Sequence, residues 1–199
     1  MKGLVIAAAT AALVVGAFYL LKDHEAEPSR PETGAVPGEA PLAPDPGSLR
    51  DRLLHSTAQQ AGITPIRGVW GVVMERGFAK GVATVVALAD GTASMYLSTG
   101  ASAVGGGAYP PAHAAALKLC EQAADLLAET APTHEFPSPA KGRVRFYVLS
   151  VQGVRVAESD LFARPGPGDG GRDALAPLVA AGDAVLDGLK EATSKGLIR

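Results

Sequence analysis

A glycine-rich segment is the first stretch of this chain whose residue types suggest ligand chemistry. Residues 99–107 read TGASAVGGG and lie just before a predicted helix. Backbone amides in a glycine-rich loop that ends at a helix N-terminus can bind an anion. The lysine and the serine or threonine of a phosphate-binding P-loop are missing, however, and residues 108–110 (AYP) stand in their place. The segment is therefore predicted to be a connector or a partner-contact loop, with Gly105, Gly106 and Gly107 as ligand-contact candidates.

Histidine and cysteine are the other side chains that could do chemistry. His113 lies in the first turn of the predicted helix, where a general base or metal ligand competes with a solvated surface residue. Cys120 is the only cysteine, and a buried small hydrophobe competes there with an activated thiol. His55 and His134 are isolated, and no two histidines have metal-ligand spacing. The sequence therefore predicts a protein that is not an enzyme and has no cofactor and no metal.

Trp70 and the charged segment at residues 75–80 are candidate partner contacts. Trp70 begins the first predicted strand, where a core residue competes with an exposed aromatic anchor. Residues 75–80 read ERGFAK and include the candidate Arg76; they are predicted to form a solvated turn. If this turn shares a sheet edge with the glycine-rich segment, the two form one recognition surface.

The chain begins with an uncharged stretch of membrane-spanning length. Residues 3–21 read GLVIAAATAALVVGAFYLL, which as a helix would span roughly 28 Å, close to the ~30 Å thickness of bilayer hydrocarbon. A retained single-pass anchor competes with a cleaved secretory signal and with a buried helix of a soluble domain. Large residues at positions 18–21 argue against cleavage, because a cleavage site requires small ones. The prediction is a membrane anchor at residues 1–22.

An acidic, proline-rich linker follows at residues 23–47. Its six prolines remove backbone donors, and its few apolar residues cannot form a core. The anchor is predicted to lie in a bacterial inner membrane. The positive start of the chain favours a C-terminal domain outside the cytoplasm, in the periplasm, although the Lys and Arg counts on the two sides of the anchor give no strong bias.

Residues 48–199 are long enough for one well-cored domain. Anchor and linker take three of the 18 basic and six of the 20 acidic residues, which leaves 15 and 14 for the domain. This near-neutral balance argues against nucleic-acid binding, which needs a concentrated positive field.

The domain is predicted as an α/β (α+β) fold with the element order α-βββ-α-ββ-α, in which helices cover both faces of a five-stranded, mostly antiparallel sheet. Ser48 is the predicted N-cap of a first helix that Gly62 ends. The predicted strands are residues 69–75, 82–89, 92–98, 143–151 and 154–160, and the later helices begin near Pro111 and Leu175.

Two hairpins and one close contact are predicted in detail. Asp90-Gly91 is predicted as a turn in which both residues have positive φ. A turn at Gln152-Gly153 would place Leu149 opposite Val156 and pair Arg145 with Asp160. Gly182, inside an apolar helical stripe, predicts a helix backbone that lies close against the sheet.

Strands between helices in this order resemble the profilin-like and roadblock-like α/β domains at the level of the fold. Roadblock domains run α-ββ-α-βββ-α, so the strand partition departs from that pattern. Residues 68–100 are also similar to a recurrent bacterial family of no established function. The resemblance favours protein or small-ligand binding over catalysis. The sequence thus predicts a membrane-tethered, non-catalytic interaction module that forms a homo-oligomer or binds another protein. The alternative is a small-ligand-binding or sensory domain that uses the glycine-rich segment.

Overall fold

The computed structural model of the chain describes residues 46–160 and 174–198, which form a seven-stranded antiparallel sheet with helices on both faces. The strands are β1 (Val69–Phe78), β2 (Gly81–Leu88), β3 (Ala93–Leu97), β4 (Ser102–Val104), β5 (Ala131–Pro132), β6 (Arg143–Ser150) and β7 (Gly153–Asp160). Their order across the sheet is β4-β3-β2-β1-β6-β7-β5. The helices are α1 (Pro46–Leu54), α2 (Ala58–Ala61), α3 (Pro110–Asp125) and α4 (Ala176–Ser194), and 3₁₀ turns occupy Gly106–Ala108 and Leu127–Glu129.

The prediction of five strands is wrong, whereas the antiparallel sheet between helices is confirmed. The two strands that the sequence pattern missed are the edge strands β4 and β5. β4 has three residues inside the glycine-rich segment, and β5 has two, one of which is Pro132. Neither is long enough to show the alternating pattern by which a strand is recognised in a sequence.

The predicted anchor at residues 3–21 and nearly all of the predicted linker lie outside the described residues. Within residues 46–160 and 174–198, no helix is long and apolar enough to cross a bilayer. α1 begins at Pro46, two residues before the predicted N-cap Ser48, so Ser48 lies inside the helix.

The first predicted helix is divided into α1 and α2. Thr57 starts α2 with a capping box: its hydroxyl accepts a hydrogen bond from the Gln60 amide, and the Gln60 side chain accepts one from the Thr57 amide. This arrangement satisfies amides at a new helix start, so the chain can turn between the two helices. Gly62 ends α2 with φ +70°, which confirms the predicted stop.

β1 is the middle strand of the sheet, and its residues alternate between two separate cores. Val72 and Met74 point to the first face, where they pack in the core with α3 and α4. Val73 points to the second face, which is covered by α1, α2 and the segment that contains Phe136. The sheet is thus the middle of three layers, and nine of the ten residues of β1 are buried.

The first face is built on the stripes of small and apolar residues predicted for α3 and α4. On α3 the buried residues are Ala112, Ala116, Leu119, Cys120 and Ala123. The prediction of a close approach at Gly182 is confirmed, because a β-carbon added there would lie 2.4 Å from Sδ of Met74 on β1. A β-carbon added at Gly188 would lie 2.8 Å from Cα of Ala112, so the two helices also touch closely.

The β2–β3 turn differs in detail from the prediction. Only Gly91 has positive φ, at +84°, while the Asp90 carboxylate accepts a hydrogen bond from the Thr92 amide. The loop has three residues rather than two, because the Leu88 amide donates to the Thr92 carbonyl. A three-residue loop of this kind needs only one left-handed residue.

The predicted register of the β6–β7 hairpin is wrong by two residues. The turn residues are Val151 and Gln152, and Gly153 is the first residue of β7. In this register Leu149 lies opposite Val154, and Arg145 lies opposite Glu158 rather than Asp160.

Candidate functional site

The glycine-rich segment is folded, and its three candidate glycines are placed by packing. Gly105, with φ +94°, ends β4, and Gly106 and Gly107 begin a 3₁₀ turn that leads into α3. Gly106 is buried, and a β-carbon added there would lie 2.4 Å from Cδ2 of Leu189 and 2.9 Å from the Ala93 carbonyl oxygen. Glycine is thus required at position 106 for the close approach of the chain to α4 and β3.

His113 packs against the β2–β3 turn. A β-carbon added at Gly91 would lie 2.1 Å from Cε1 of His113, so the imidazole covers the position where a side chain would otherwise stand. The ring is half-buried. Among the described residues there is no group of three or more His, Cys, Asp or Glu side chains placed to hold a metal ion.

Trp70 and Arg76 are both buried. Trp70 is 1% exposed and packs on the second face with Leu54 and Tyr147. Of the two interpretations given above, Trp70 is therefore the core residue and not the exposed aromatic anchor. Arg76 is 8% exposed and donates through Nη2 to Oδ1 of Asp183 on α4 at 2.5 Å.

The prediction of a solvated turn over residues 75–80 is wrong at its start. Glu75 and Arg76 belong to β1, and the turn itself is formed by Ala79 and Lys80. Ser98, just before the glycine-rich segment, is hydrogen-bonded to Val82, so the start of that segment lies beside this turn. Gly105–Gly107 follow the other end of β4, so the predicted joint surface does not include them.

Glu75 is the centre of a polar cluster that sequence reasoning missed. Its carboxylate is 1% exposed and accepts two hydrogen bonds from Arg50, at 2.6 Å from Nε and 3.0 Å from Nη2. The Thr84 hydroxyl donates to the same carboxylate, and Arg50 also donates to the Phe136 carbonyl. Burial lowers the pKa of Arg50, but the hydrogen bond and charge of Glu75 outweigh it and raise the pKa overall. This pair ties α1 to the central strand.

Further ion pairs extend this polar cluster onto β6 and β7. Glu158 accepts hydrogen bonds from Nε of Arg143 at 2.8 Å and from Nε of Arg145 at 2.6 Å. Arg143 also pairs with Asp160, and the Tyr147 hydroxyl donates to the Pro137 carbonyl at 2.6 Å. Burial raises the pKa of that Tyr147 hydroxyl.

Two clefts lie on the second face, on either side of the segment that contains Phe136. The larger, of about 370 Å³, is lined by Thr133, Glu135, Pro137, Arg145, Tyr147, Val156, Ala157 and Glu158. The smaller, of about 180 Å³, is lined by Arg50, Glu75, Val82, Thr84, Tyr96, Leu97, Ser98 and Ser138. Both are polar in part, and the charged groups in both are already paired within the chain, Glu135 excepted.

The other half of the sheet carries no charge. β2, β3 and β4 contain no Asp, Glu, Lys or Arg, and neither does any residue from Gly91 to Leu117. At the outer end of this half, Val104 is 46% exposed and Leu197 is 59% exposed. A β-carbon added at Gly105 would lie 3.7 Å from Cγ2 of Ile198, so the end of β4 lies next to the segment that follows α4 and includes Leu197. We call β4 together with Leu197 the uncharged edge.

The main-chain groups of β4 alternate between β3 and the outside. The Leu97 amide donates to the Ala101 carbonyl at 2.8 Å, and Met95 lies opposite Ala103. In an antiparallel pair, every second residue directs its N–H and C=O to the same neighbour. The amides and carbonyls of Ser102 and Val104 therefore point away from β3, and no described strand lies beyond them.

Cys120 is packed as a hydrophobic residue. Its thiol lies on α3 against the Ala87 carbonyl of β2, with a sulfur–oxygen distance of 3.7 Å. Burial, followed by the charges of Asp90 and Glu121, raises the pKa of Cys120 from 9.0 to about 12. Because the nucleophile is the thiolate, this thiol is poorly suited to catalysis at neutral pH.

Comparison with family models, with curated proteins and with solved structures gives no match. The resemblance to profilin-like and roadblock-like domains therefore stays a prediction from the sequence.

Proposed function

We propose that this chain is a membrane-tethered, non-catalytic protein-interaction module whose binding surface is the uncharged edge. The single observation that carries the proposal is the outer side of β4, where Ser102 and Val104 present main-chain groups that pair with no strand of residues 46–160 and 174–198, next to the exposed side chain of Val104. In this proposal residues 3–21 provide the membrane anchor, and the predicted linker provides the spacer up to α1, which begins at Pro46.

An open strand edge binds other chains because its amides and carbonyls can extend the sheet. Proteins that must avoid such pairing place charges or proline at their edges. The opposite edge of this sheet has such features: β5 contains Pro132, and Arg155 of the adjacent β7 donates to Thr130. β4 has neither a charged residue nor a proline, so its composition favours association.

The side chains that could do chemistry are engaged in packing, which supports binding rather than catalysis. Cys120 lies in the core with its pKa raised, and His113 covers the glycine of the β2–β3 turn. The buried Glu75 carboxylate accepts hydrogen bonds from two nitrogens of the Arg50 guanidinium, Nε and Nη2. A carboxylate paired in this way stabilises the fold and is not free to act as a catalytic acid or base.

The test compares two exposed valines in the full-length chain, expressed in bacterial membranes. Val104→Lys places a charge on the uncharged edge, whereas Val151→Lys places one on the β6–β7 turn, at 61% exposure. Chemical cross-linking is expected to show assemblies for the parent chain and for Val151→Lys, and a loss of at least about tenfold for Val104→Lys. Equal cross-linking of the two lysine variants contradicts the proposal.

The anchor is tested in the same membranes by alkaline extraction. Retention of the chain in the pellet, and its release when residues 3–21 are deleted, is the expected result. A chain that is extracted with its first 21 residues intact contradicts the tethered part of the proposal.

A small-ligand site is the second candidate, and the cleft of about 370 Å³ is the observation that favours it. We place the ligand in this cleft, because Gly106 of the 99–107 segment is in close contact with α4 and β3. A ligand present at 100 times its Kd would stabilise the fold by about 2.7 kcal/mol. A screen of ligand classes that leaves the melting temperature unchanged rules against this candidate.

A further inference from the structure

We propose that the occupant of the uncharged edge is the same edge of a second copy of this chain. β4 of one copy pairs antiparallel with β4 of the other, so that two seven-stranded sheets join into one continuous sheet. This inference rests on the proposed interaction function and names its partner.

The register of this pairing follows from the main-chain directions of β4. Ser102 and Val104 both direct their N–H and C=O groups outward, and Ala103 between them is directed inward to β3. A two-fold axis that passes beside Ala103 places Ser102 of each copy opposite Val104 of the other. Opposed residues with outward groups exchange both hydrogen bonds in an antiparallel ladder. The pairing therefore satisfies every outward amide and carbonyl of the two residues in both copies.

The uncharged edge is compatible with a second copy of the same composition. A two-fold pairing of β4 with itself places no like charges opposite each other, because no residue of β4 is charged. β2 and β3, the two strands nearest to β4, are uncharged as well. Val104, which is 46% exposed, would lie opposite Ser102 of the other copy.

The opposite edge of the sheet cannot associate in the same way. β7 carries Arg155, Glu158 and Asp160, and its neighbour β5 ends in Pro132, which has no amide to donate. Self-pairing of the two-residue β5 would leave the ladder incomplete, because Pro132 cannot donate. Among the described strands, β4 is thus the edge suited to a second copy.

The geometry also agrees with a membrane tether. A two-fold axis normal to the sheet keeps the second face of both copies on the same side. α1 lies on that face through Leu54, so both chains enter their domains from one side and both linkers can reach one membrane. A three-residue edge is smaller than the surface that a stable soluble dimer usually buries, about 1,200–2,000 Å² in total. Confinement to one membrane raises the effective concentration and supports so small an interface.

The first experiment is disulfide trapping in membranes with two differently tagged full-length chains, one carrying Ser102→Cys and the other Val104→Cys. The α-carbons of a hydrogen-bonded antiparallel pair lie about 5.5 Å apart, which is within the range that a disulfide spans. Ser102→Cys paired with Val151→Cys is the control, because Val151, at 61% against 46% for Val104, is at least as exposed but lies at the β6–β7 turn. The native Cys120 is buried and common to all chains.

The expected result is at least about tenfold more mixed disulfide for the 102/104 combination than for the 102/151 control. Equal yields in the two combinations overturn the β4–β4 pairing.

A charge-reversal series separates failure of this inference from failure of the proposed function. Val104→Lys is expected to lower dimer cross-linking, and Ser102→Glu added to Val104→Lys to restore it, because each glutamate then faces a lysine of the other copy. If Val104→Lys instead removes only cross-links to other proteins, the self-pairing is wrong and the interaction function stands. If Val104→Lys changes no cross-link, both are wrong.

Discussion

The two halves of the sheet, on either side of the β1–β2 boundary, differ in how they use charge. β1, β6 and β7 carry seven charged residues, and most of them are joined in ion pairs that cross from strand to strand or from strand to helix. β2, β3 and β4 carry none. In the charged half, most charged side chains are paired with other side chains of the chain. In the uncharged half, the last described strand directs main-chain amides and carbonyls away from the sheet. The comparison suggests that one half holds the fold together and the other is free to associate.

The largest loss of stability is expected when Arg50 is replaced. Arg50→Met leaves the Glu75 carboxylate, 1% exposed, without its partner, and an uncompensated buried charge typically costs about 3–5 kcal/mol. The free energy of unfolding is measured by urea titration of the full chain in detergent, with the fluorescence of Trp70, the only tryptophan, as the signal.

A second variant shows whether the cost comes from the charge. Glu75→Gln added to Arg50→Met removes the unpaired carboxylate and is expected to recover at least half of the lost stability. A loss below about 1 kcal/mol for Arg50→Met alone contradicts the assignment of this pair as the link between α1 and β1.

The Cys120 thiol, which packs against β2 of the uncharged half, is expected to stay protonated at neutral pH. The pKa of the Cys120 thiol is raised from 9.0 to about 12, so at pH 8 the folded chain should hold about 1000-fold less thiolate than the unfolded chain. The sign follows from burial: the neutral thiol is favoured in the folded state, and the stability it contributes is lost as the pH rises from 9 toward 12. Alkylation of Cys120 with iodoacetamide over a pH series, with and without urea, measures the pKa, because access changes the overall rate whereas the thiolate fraction sets the pH at the midpoint. A midpoint near 9 for the folded chain contradicts the expectation.

Packing around the glycine-rich segment is tested by two neighbouring glycines. Gly106→Ala is expected to cost about 1–3 kcal/mol, because the new methyl group meets Leu189 and the Ala93 carbonyl at less than 3 Å. Gly107→Ala is the matched control, since its nearest contacts lie at 3.2 Å and small shifts can accommodate them. Thermal unfolding of the two variants compares them. An equal, small effect at both positions would mean that the segment is not packed as described.

The smallest stability effect is expected at the uncharged edge itself. Val104 is exposed, so Val104→Lys should change the free energy of unfolding by no more than about 0.5 kcal/mol while it reduces association. Denaturant titration in detergent, where the copies are diluted, measures the stability alone. A loss above about 1 kcal/mol would show that Val104 supports the fold of a single copy.

The long elements were predictable from the sequence because their periodicity is strong. The three long strands before α3, the β6–β7 hairpin and the stripes of α3 and α4 all appear near their predicted places. The register of the hairpin was not predictable, because Gly153 suggested a turn residue where the structure has a strand residue with φ +114°. β4 and β5 are too short to leave a pattern.

The candidate site was predicted less well, since it depends on contacts between distant parts of the chain. Glu75 followed by Arg76 looks like the start of a solvated turn, and only the length of β1 places them in the sheet. Arg50, which neutralises Glu75, lies 25 residues away in sequence. One signal was available: the run from Gly91 to Leu117 without a charged residue is visible in the sequence and coincides with the uncharged edge.

The most direct test of the central claim is hydrogen exchange at two amides, those of Ser102 and Val104. The full-length chain is compared in membranes, where copies meet, and at high dilution in detergent. Both amides are expected to exchange slowly in membranes and rapidly on dilution, while the Ala103 amide, which faces β3, stays protected in both. Rapid exchange of the Ser102 and Val104 amides in membranes would contradict the claim that the uncharged edge of this protein is an interaction surface.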